Sequence, residues 1–112
     1  MARQRFIPDT GHIIDFHFEV PAGSPIPATR PALVLSPAAY NRRTGLVIVC
    51  AITRKIKGYP FEVPLAGTDT AILADQIKSL DWKHTRISLE GRADAAALAQ
   101  VRQRLQVLLL IP

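Results

Sequence analysis

Two residues stand at junctions where a rigid scaffold hands over to a loop, and both suit a phosphate. Arg30 separates a proline-rich stretch from an apolar run, and Thr53 directly follows the most apolar run of the chain. A guanidinium presents a planar fork of donors that fits a phosphate bidentately. A threonine hydroxyl adds one hydrogen bond to a phosphate oxygen. Thr53 opens the run Thr53-Arg54-Lys55-Ile56-Lys57-Gly58-Tyr59. Arg54, Lys55 and Lys57 are of the type that makes salt-dependent contacts to a nucleic-acid backbone, and Tyr59 offers a ring on which a base can stack. Taken singly, each has a plainer reading: Arg30 as a surface charge, the cations as a solvated loop, Tyr59 as a turn aromatic packed on the fold.

Other chemistries lack their residues. There is no Gly-x-Ser-x-Gly, phosphate-loop or Cys-x-x-Cys motif. His12, His17 and His84 show no metal-ligand spacing, so neither a metal nor a cofactor is expected. His17 shares a strand face with Asp15, which could orient an imidazole, but such a pair is more often the wet face of a strand. The lone Cys50 lies in the apolar run Leu46–Ile52 and reads as a small buried hydrophobe.

The elements that must hold these groups are short. At 112 residues and 48% hydrophobic, the chain fits one domain spanning residues 1–112 and is a poor candidate for disorder. A single cysteine forms no internal disulfide and fits a cytoplasmic location. The basic start Met1-Ala2-Arg3-Gln4-Arg5 is not followed by a signal-peptide core, and no run approaches the ~18 apolar residues of a membrane span. Lys and Arg outnumber Asp and Glu by 14 to 9, a net charge of +5 that suggests a polyanionic partner.

Nine prolines and six glycines punctuate short apolar runs, the pattern of a mostly-β domain. Ile13–Phe18 alternates, with Ile14, Phe16 and Phe18 on a mostly buried face. Residues 20–28 form a loop, and Pro31–Ser36 a second strand. Pro37–Thr44 is a polar excursion with a helical turn. Gly45–Ile52 is a strand buried on both faces, within a barrel or at a subunit interface. Tyr59–Leu65, Ala71–Leu73, Gln76–Trp82 and Thr85–Leu89 are further strands. Leu98, Val101, Leu105 and Leu108 mark one face of an amphipathic helix over Asp94–Leu109, with Asp94 as its cap and Arg102 and Arg104 on its wetter side. The Leu108-Leu109-Leu110-Ile111 end is expected to pack on the sheet, with part of it available to another subunit.

The order of motifs resembles one family across nearly the whole chain, the MazF/PemK toxins of type II toxin–antitoxin systems. The matching pieces are Phe6-Ile7-Pro8-Asp9-x-Gly11, Arg30-Pro31-Ala32-Leu33-Val34-Leu35-Ser36-Pro37, Tyr40-Asn41-x-x-Thr44-Gly45, Thr53, Lys57-Gly58-Tyr59-Pro60-Phe61-Glu62-Val63 and Ala74-Asp75-Gln76-Ile77-Lys78-Ser79. The resemblance implies a small SH3-like barrel with a C-terminal helix, built as a homodimer. It implies metal-independent cleavage of single-stranded RNA at short sequences, leaving a 2′,3′-cyclic phosphate and a 5′-hydroxyl. It also implies inhibition by a cognate antitoxin whose acidic segment occupies the RNA groove. The family's catalytic arginine and threonine map to Arg30 and Thr53; the residues expected to bind RNA are Arg54, Lys55, Lys57, Tyr59, Gln76 and Lys78, with Arg54-Lys55-Ile56 more basic than in many relatives.

This chain departs from the family in places. Where some members carry an acidic residue in the loop before Arg-Pro, it has Pro25, which removes one candidate base. The usual Gly-Asp opening of the first strand is Gly11-His12. Two alternatives share the fold class. One is a gyrase-binding toxin of the CcdB type, against which the Leu110-Ile111-Pro112 end counts. The other is a basic RNA-binding module without catalysis, against which the pairing of Arg30 with Thr53 counts.

Overall fold

A computed structural model describes residues 6–25 and 28–112. The basic start Met1–Arg5 and two residues of the proline-rich loop, Ile26 and Pro27, lie outside the described residues. The elements are β1 (His12–His17), β2 (Thr29–Val34), α1 (Ala38–Thr44), β3 (Leu46–Thr53), β4 (Glu62–Pro64), β5 (Ala71–Asp81), β6 (Ile87–Arg92) and α2 (Ala95–Leu108). The strands form one antiparallel sheet in the order β4-β5-β3-β2-β1-β6.

The alternation of β1 points Ile14 and Phe16 into a core, as its pattern requires. The same core holds Ala32, Val34, Val47, Val49, Trp82 and Ile87. A second core on the other side of the sheet gathers Leu33, Cys50, Ile52, Val63 and Ile72 against Ala97 and Val101 of α2. The central strand β3 therefore feeds both, Val47 and Val49 one way and Cys50 and Ile52 the other, and is buried on both faces within this chain. α2 covers one face of the sheet, and the sheet covers the other by curling on itself. Five residues, 82–86, connect β5 to β6 at the opposite edge. Four strand spacings of ~4.8 Å would need that connection almost fully extended in a flat sheet. Instead it bends, with Trp82 turned inward onto Val47 and Ile87. The result is an open, barrel-like sheet plus a C-terminal helix.

Asp94 caps α2 as its position suggests, its carboxylate accepting the Ala97 N–H at 3.0 Å. The helical turn expected in residues 37–44 is the seven-residue α1. Its buried Asn41 is a hub. The amide accepts from Ser36 Oγ at 2.6 Å and donates to the Pro8 carbonyl at 2.7 Å, and the Asn41 carbonyl accepts the Trp82 indole N–H at 2.9 Å. Among the described residues no helix is long and apolar enough to cross a membrane.

Several expectations need correction. Ala71–Leu73 and Gln76–Trp82 are one strand, β5, because its register against β3 jumps from Ile77 opposite Cys50 to Leu73 opposite Ala51. Ala74, Asp75 and Gln76 are looped out without ending the strand. Tyr59–Leu65 shrinks to the three residues of β4, and Thr85–Leu89 shifts to Ile87–Arg92. Phe18 lies beyond β1 and is 37% exposed rather than buried with Phe16. The leucine-rich end does not pack on the sheet: Leu108 to Ile111 are all exposed, because the apolar stripe of α2 reaches the core only through Ala97, Val101 and their partly buried neighbours Leu98 and Leu105.

Candidate functional site

The β2–β3 ladder sets Ala32 opposite Ala51, and the same register continued two residues directs Arg30 and Thr53 to one face and one end of the sheet. Arg30 is also opposite Phe16 across the β1–β2 ladder, so it rises from the rim of the Phe16 core. Its guanidinium lies over the Phe18 ring, 5.1 Å from the centroid. That contact fixes a cation on the surface without neutralising it. Among the described residues Arg30 has no ion-pair partner. The exposure of Phe18 thereby acquires a reason: its ring is the platform for Arg30.

Thr53 ends β3, opposite Ala71 of β5. Its Oγ1 accepts the Lys55 N–H at 3.0 Å, so its own proton remains to be donated outward. Thr53, Lys55, Lys57, Tyr59 and Gln76 line one cavity of about 260 Å³, with Asp75 on its wall. The looped-out residues of β5 deliver Asp75 and Gln76 to the same place as the loop after β3. Residues whose spacing along the chain is uninformative are thus gathered by one irregularity of register.

The loop of residues 54–61 is held by a single carboxylate. Glu62 accepts the N–H of Lys57 at 2.9 Å, of Gly58 at 2.7 Å and of Tyr59 at 3.2 Å. The Lys57 N–H bond above all, with those of Gly58 and Tyr59, holds the Glu62 carboxyl below its ordinary range against an opposing desolvation. Gly58 takes φ +77°, a conformation that costs an L side chain energy and lets three successive N–H groups turn inward. Arg104 of α2 donates from Nε to the Pro60 carbonyl at 2.9 Å, tying the loop to the helix. What remains free points out: Tyr59 is 59% exposed, with the Lys57 ammonium 5.7 Å from its ring centroid.

Not every expected residue joins this cavity: Arg30, Arg54 and Lys78 are not among the residues that line it. Lys78 stands further along β5, opposite Val49, exposed on the face that carries Thr53. Arg54 turns away, and its charge reaches Asp15 of β1. Burial first and Glu90 second raise the Asp15 carboxyl above its ordinary range, while His17 and Arg54 act against the rise. His17 is a neighbour of this acid but is bonded through Nε2 to Ser88 Oγ at 3.0 Å, and Ser88 donates to Glu90 at 2.9 Å. The pairing places His17 on the opposite face from Arg30. Cys50 is buried, its thiol pushed up to about 12 by desolvation, and is therefore inert as a nucleophile.

Sequence reasoning missed two acids here. Glu62 lies inside a quoted motif, but its grip on three N–H groups depends on a loop conformation that periodicity does not encode. Asp75 is adjacent to Gln76, and only the register jump brings it to the cavity.

A chain-wide comparison bears on this geometry. The family described as PemK-like, MazF-like toxin of type II toxin–antitoxin systems matches residues 9–109. The Endoribonuclease toxin MazF of Escherichia coli strain K12 is 38% identical over 107 residues, covering 94% of this chain and 96% of that protein. MazF in a MazE–MazF crystal structure from Deinococcus radiodurans superposes with a TM-score of 0.84 at 45% identity, over 96% of this chain and 100% of that one. An endoribonuclease from a mycobacterial species, solved in complex with its cognate antitoxin, shares the fold at a TM-score of 0.75 and 21% identity.

Proposed function

Starting from a chain that belongs to the PemK/MazF family of type II toxins, we propose that it is a sequence-specific endoribonuclease that cuts single-stranded mRNA in the cytoplasm without a metal ion. What supports this reading is a strand register that, continued from Ala32 and Ala51, directs Arg30 and Thr53 to one face and one end of the sheet, with Thr53 beside a cationic loop and an exposed tyrosine. In the proposed reaction the 2′-oxygen attacks phosphorus, the bond to the 5′-oxygen breaks, and the products are a 2′,3′-cyclic phosphate and a 5′-hydroxyl. Negative charge builds on the non-bridging oxygens. Arg30 stabilises it with a fork of donors, and Thr53 adds the proton its hydroxyl has free. A guanidinium keeps its proton in water and is a poor base. The 2′-hydroxyl proton therefore passes to water, and the departing 5′-oxygen takes a proton from Arg30 or from water. Lys55, Lys57, Arg54 and Lys78 contact backbone phosphates, Tyr59 stacks on a base, and Gln76 reads a base edge.

A cognate antitoxin would block this surface with an acidic segment, since the groups that attract RNA attract carboxylates equally. The exposed apolar end from Val107 to Ile111 fits a homodimer contact, and light scattering tests it. For the reaction, purified protein is incubated with a long single-stranded RNA, with and without EDTA. Site-specific cuts ending in cyclic phosphate are expected in both, and none with Arg30→Ala. Intact RNA after incubation with the wild-type protein over a range of salt and temperature defeats the reading.

A further inference from the structure

A larger cavity, about 500 Å³, opens at the far end of the sheet from Arg30, between the start of β1, α1 and the segment after β5. Phe6 and Trp82 form its apolar wall, and Asp9, His12, Arg42 and Arg92 its polar side. His12 is 7% exposed. Its Nδ1 accepts the Asp9 N–H at 3.0 Å, so in the neutral ring the proton is on Nε2. No buried side-chain nitrogen or oxygen among the described residues lacks a partner. Among the described residues no hydrogen bond engages the Nε2–H, and the ring lines the cavity. The one acid present is already engaged: Asp9 Oδ1 accepts the N–H groups of Thr10 and Ala38, both at 2.9 Å. Arg42 and Arg92 form no ion pair among the described residues. Two arginines and the His12 ring thus line a concavity that holds one carboxylate, one of whose oxygens is taken by backbone donors. Burial first and Arg92 second hold the His12 imidazole below its usual range, with Asp9 acting against them.

We propose that this cavity is a second anion site that receives a phosphate group between Arg42, Arg92 and the Nε2–H of His12. The phosphate could belong to a nucleic-acid strand or be free in solution. The site stands whether or not the protein cleaves RNA.

The test follows the His12 ring and Arg92 side-chain signals by NMR in two titrations. One uses inorganic phosphate, the other a DNA oligonucleotide, which lacks the 2′-hydroxyl and so is not cut by the reaction above. Saturable shifts at both residues are expected, with tighter saturation by the oligonucleotide identifying a strand and saturation by phosphate alone identifying the free anion. The R42A/R92A double variant, altered only at two exposed side chains, should bind about tenfold or more weakly at this site. Arg30→Ala should leave the His12 response unchanged. Shifts that sodium chloride reproduces at equal ionic strength, shifts that do not saturate, or equal affinity in the double variant would overturn the proposal.

Discussion

The same strands end in two different ways. Beyond α1 the chain is closed by a buried network in which Asn41 bonds Ser36 and Pro8 and receives Trp82. Beyond β3 it is left open, and an exposed loop hangs from the Glu62 carboxylate and one contact from Arg104. Both ends satisfy their backbone groups, but the first does so away from water and the second in contact with it. A buried amide hub specifies one structure, because any partner it loses is stranded in a dry interior. An exposed carboxylate clamp can release and re-form, because water replaces it at small cost. The open end also presents Lys55 and Lys57 as exposed cations without an ion-pair partner among the described residues. Substitutions at the two ends should therefore separate activity from stability.

The largest effect is expected at Arg30. Loss of one donor aimed at developing charge typically costs ~10²–10³ in rate. Arg30→Ala should lower cleavage by at least that, with a melting temperature within a degree or two of wild type (about 0.5 kcal/mol at most). A matching loss of stability would mean that Arg30 serves the fold. Next comes Thr53→Val, which keeps shape and removes the hydroxyl. One hydrogen bond to a charged group is worth about 1.5–3 kcal/mol, so single-turnover kinetics should show a tenfold to hundredfold slower step.

The closed end should respond in reverse. Asn41→Ala strands the Pro8 carbonyl and the Ser36 hydroxyl, and is expected to cost about 2 kcal/mol, or roughly 10 °C in melting temperature. Cleavage per folded molecule should not change. A slow but fully stable Asn41 variant would erase the contrast between the ends.

The smallest effects concern Glu62. Glu62→Gln should loosen the loop, raising KM a few-fold with little change in kcat. The clamp is also pH-dependent. Its carboxyl is depressed in the folded state, so its stabilisation is full above the ordinary value of 4.5 and is lost as pH falls through the lower folded value. The amide signals of Lys57, Gly58 and Tyr59 should move together with a midpoint below 4.5. Asp15 has the opposite sign: its carboxyl is raised, so its relative contribution is present below 3.8 and lost as pH rises through its folded value. A Gly58 midpoint at or above 4.5 would show that Glu62 does not hold the loop.

Much of the architecture was legible in the chain. The alternation of Ile14 and Phe16 located β1, the unbroken apolar run located β3, and Asp94 with the spacing of Leu98 and Val101 located α2 and its cap. Those signals are local, set by side-chain period and by the few residues that satisfy a helix start. Arg30 and Thr53 stood out because each adjoins a strand end. Phe18 and the leucines after Val107 were misjudged for one reason: hydrophobicity records a preference for burial, and only the folded chain shows where there is something to pack against.

By itself, then, the sequence determined the strands and helices, the positive charge and the identity of the groups able to hold a phosphate. The tertiary structure alone decided their company. It placed Phe18 beneath Arg30, brought Asp75 and Gln76 to Thr53 through a register jump, bent Glu62 back onto its own loop, and set Arg42 and Arg92 around His12. Each of these joins residues far apart in the chain or turns on an irregularity of backbone, and such relations depend on the curl and register of the whole sheet rather than on the period of any segment.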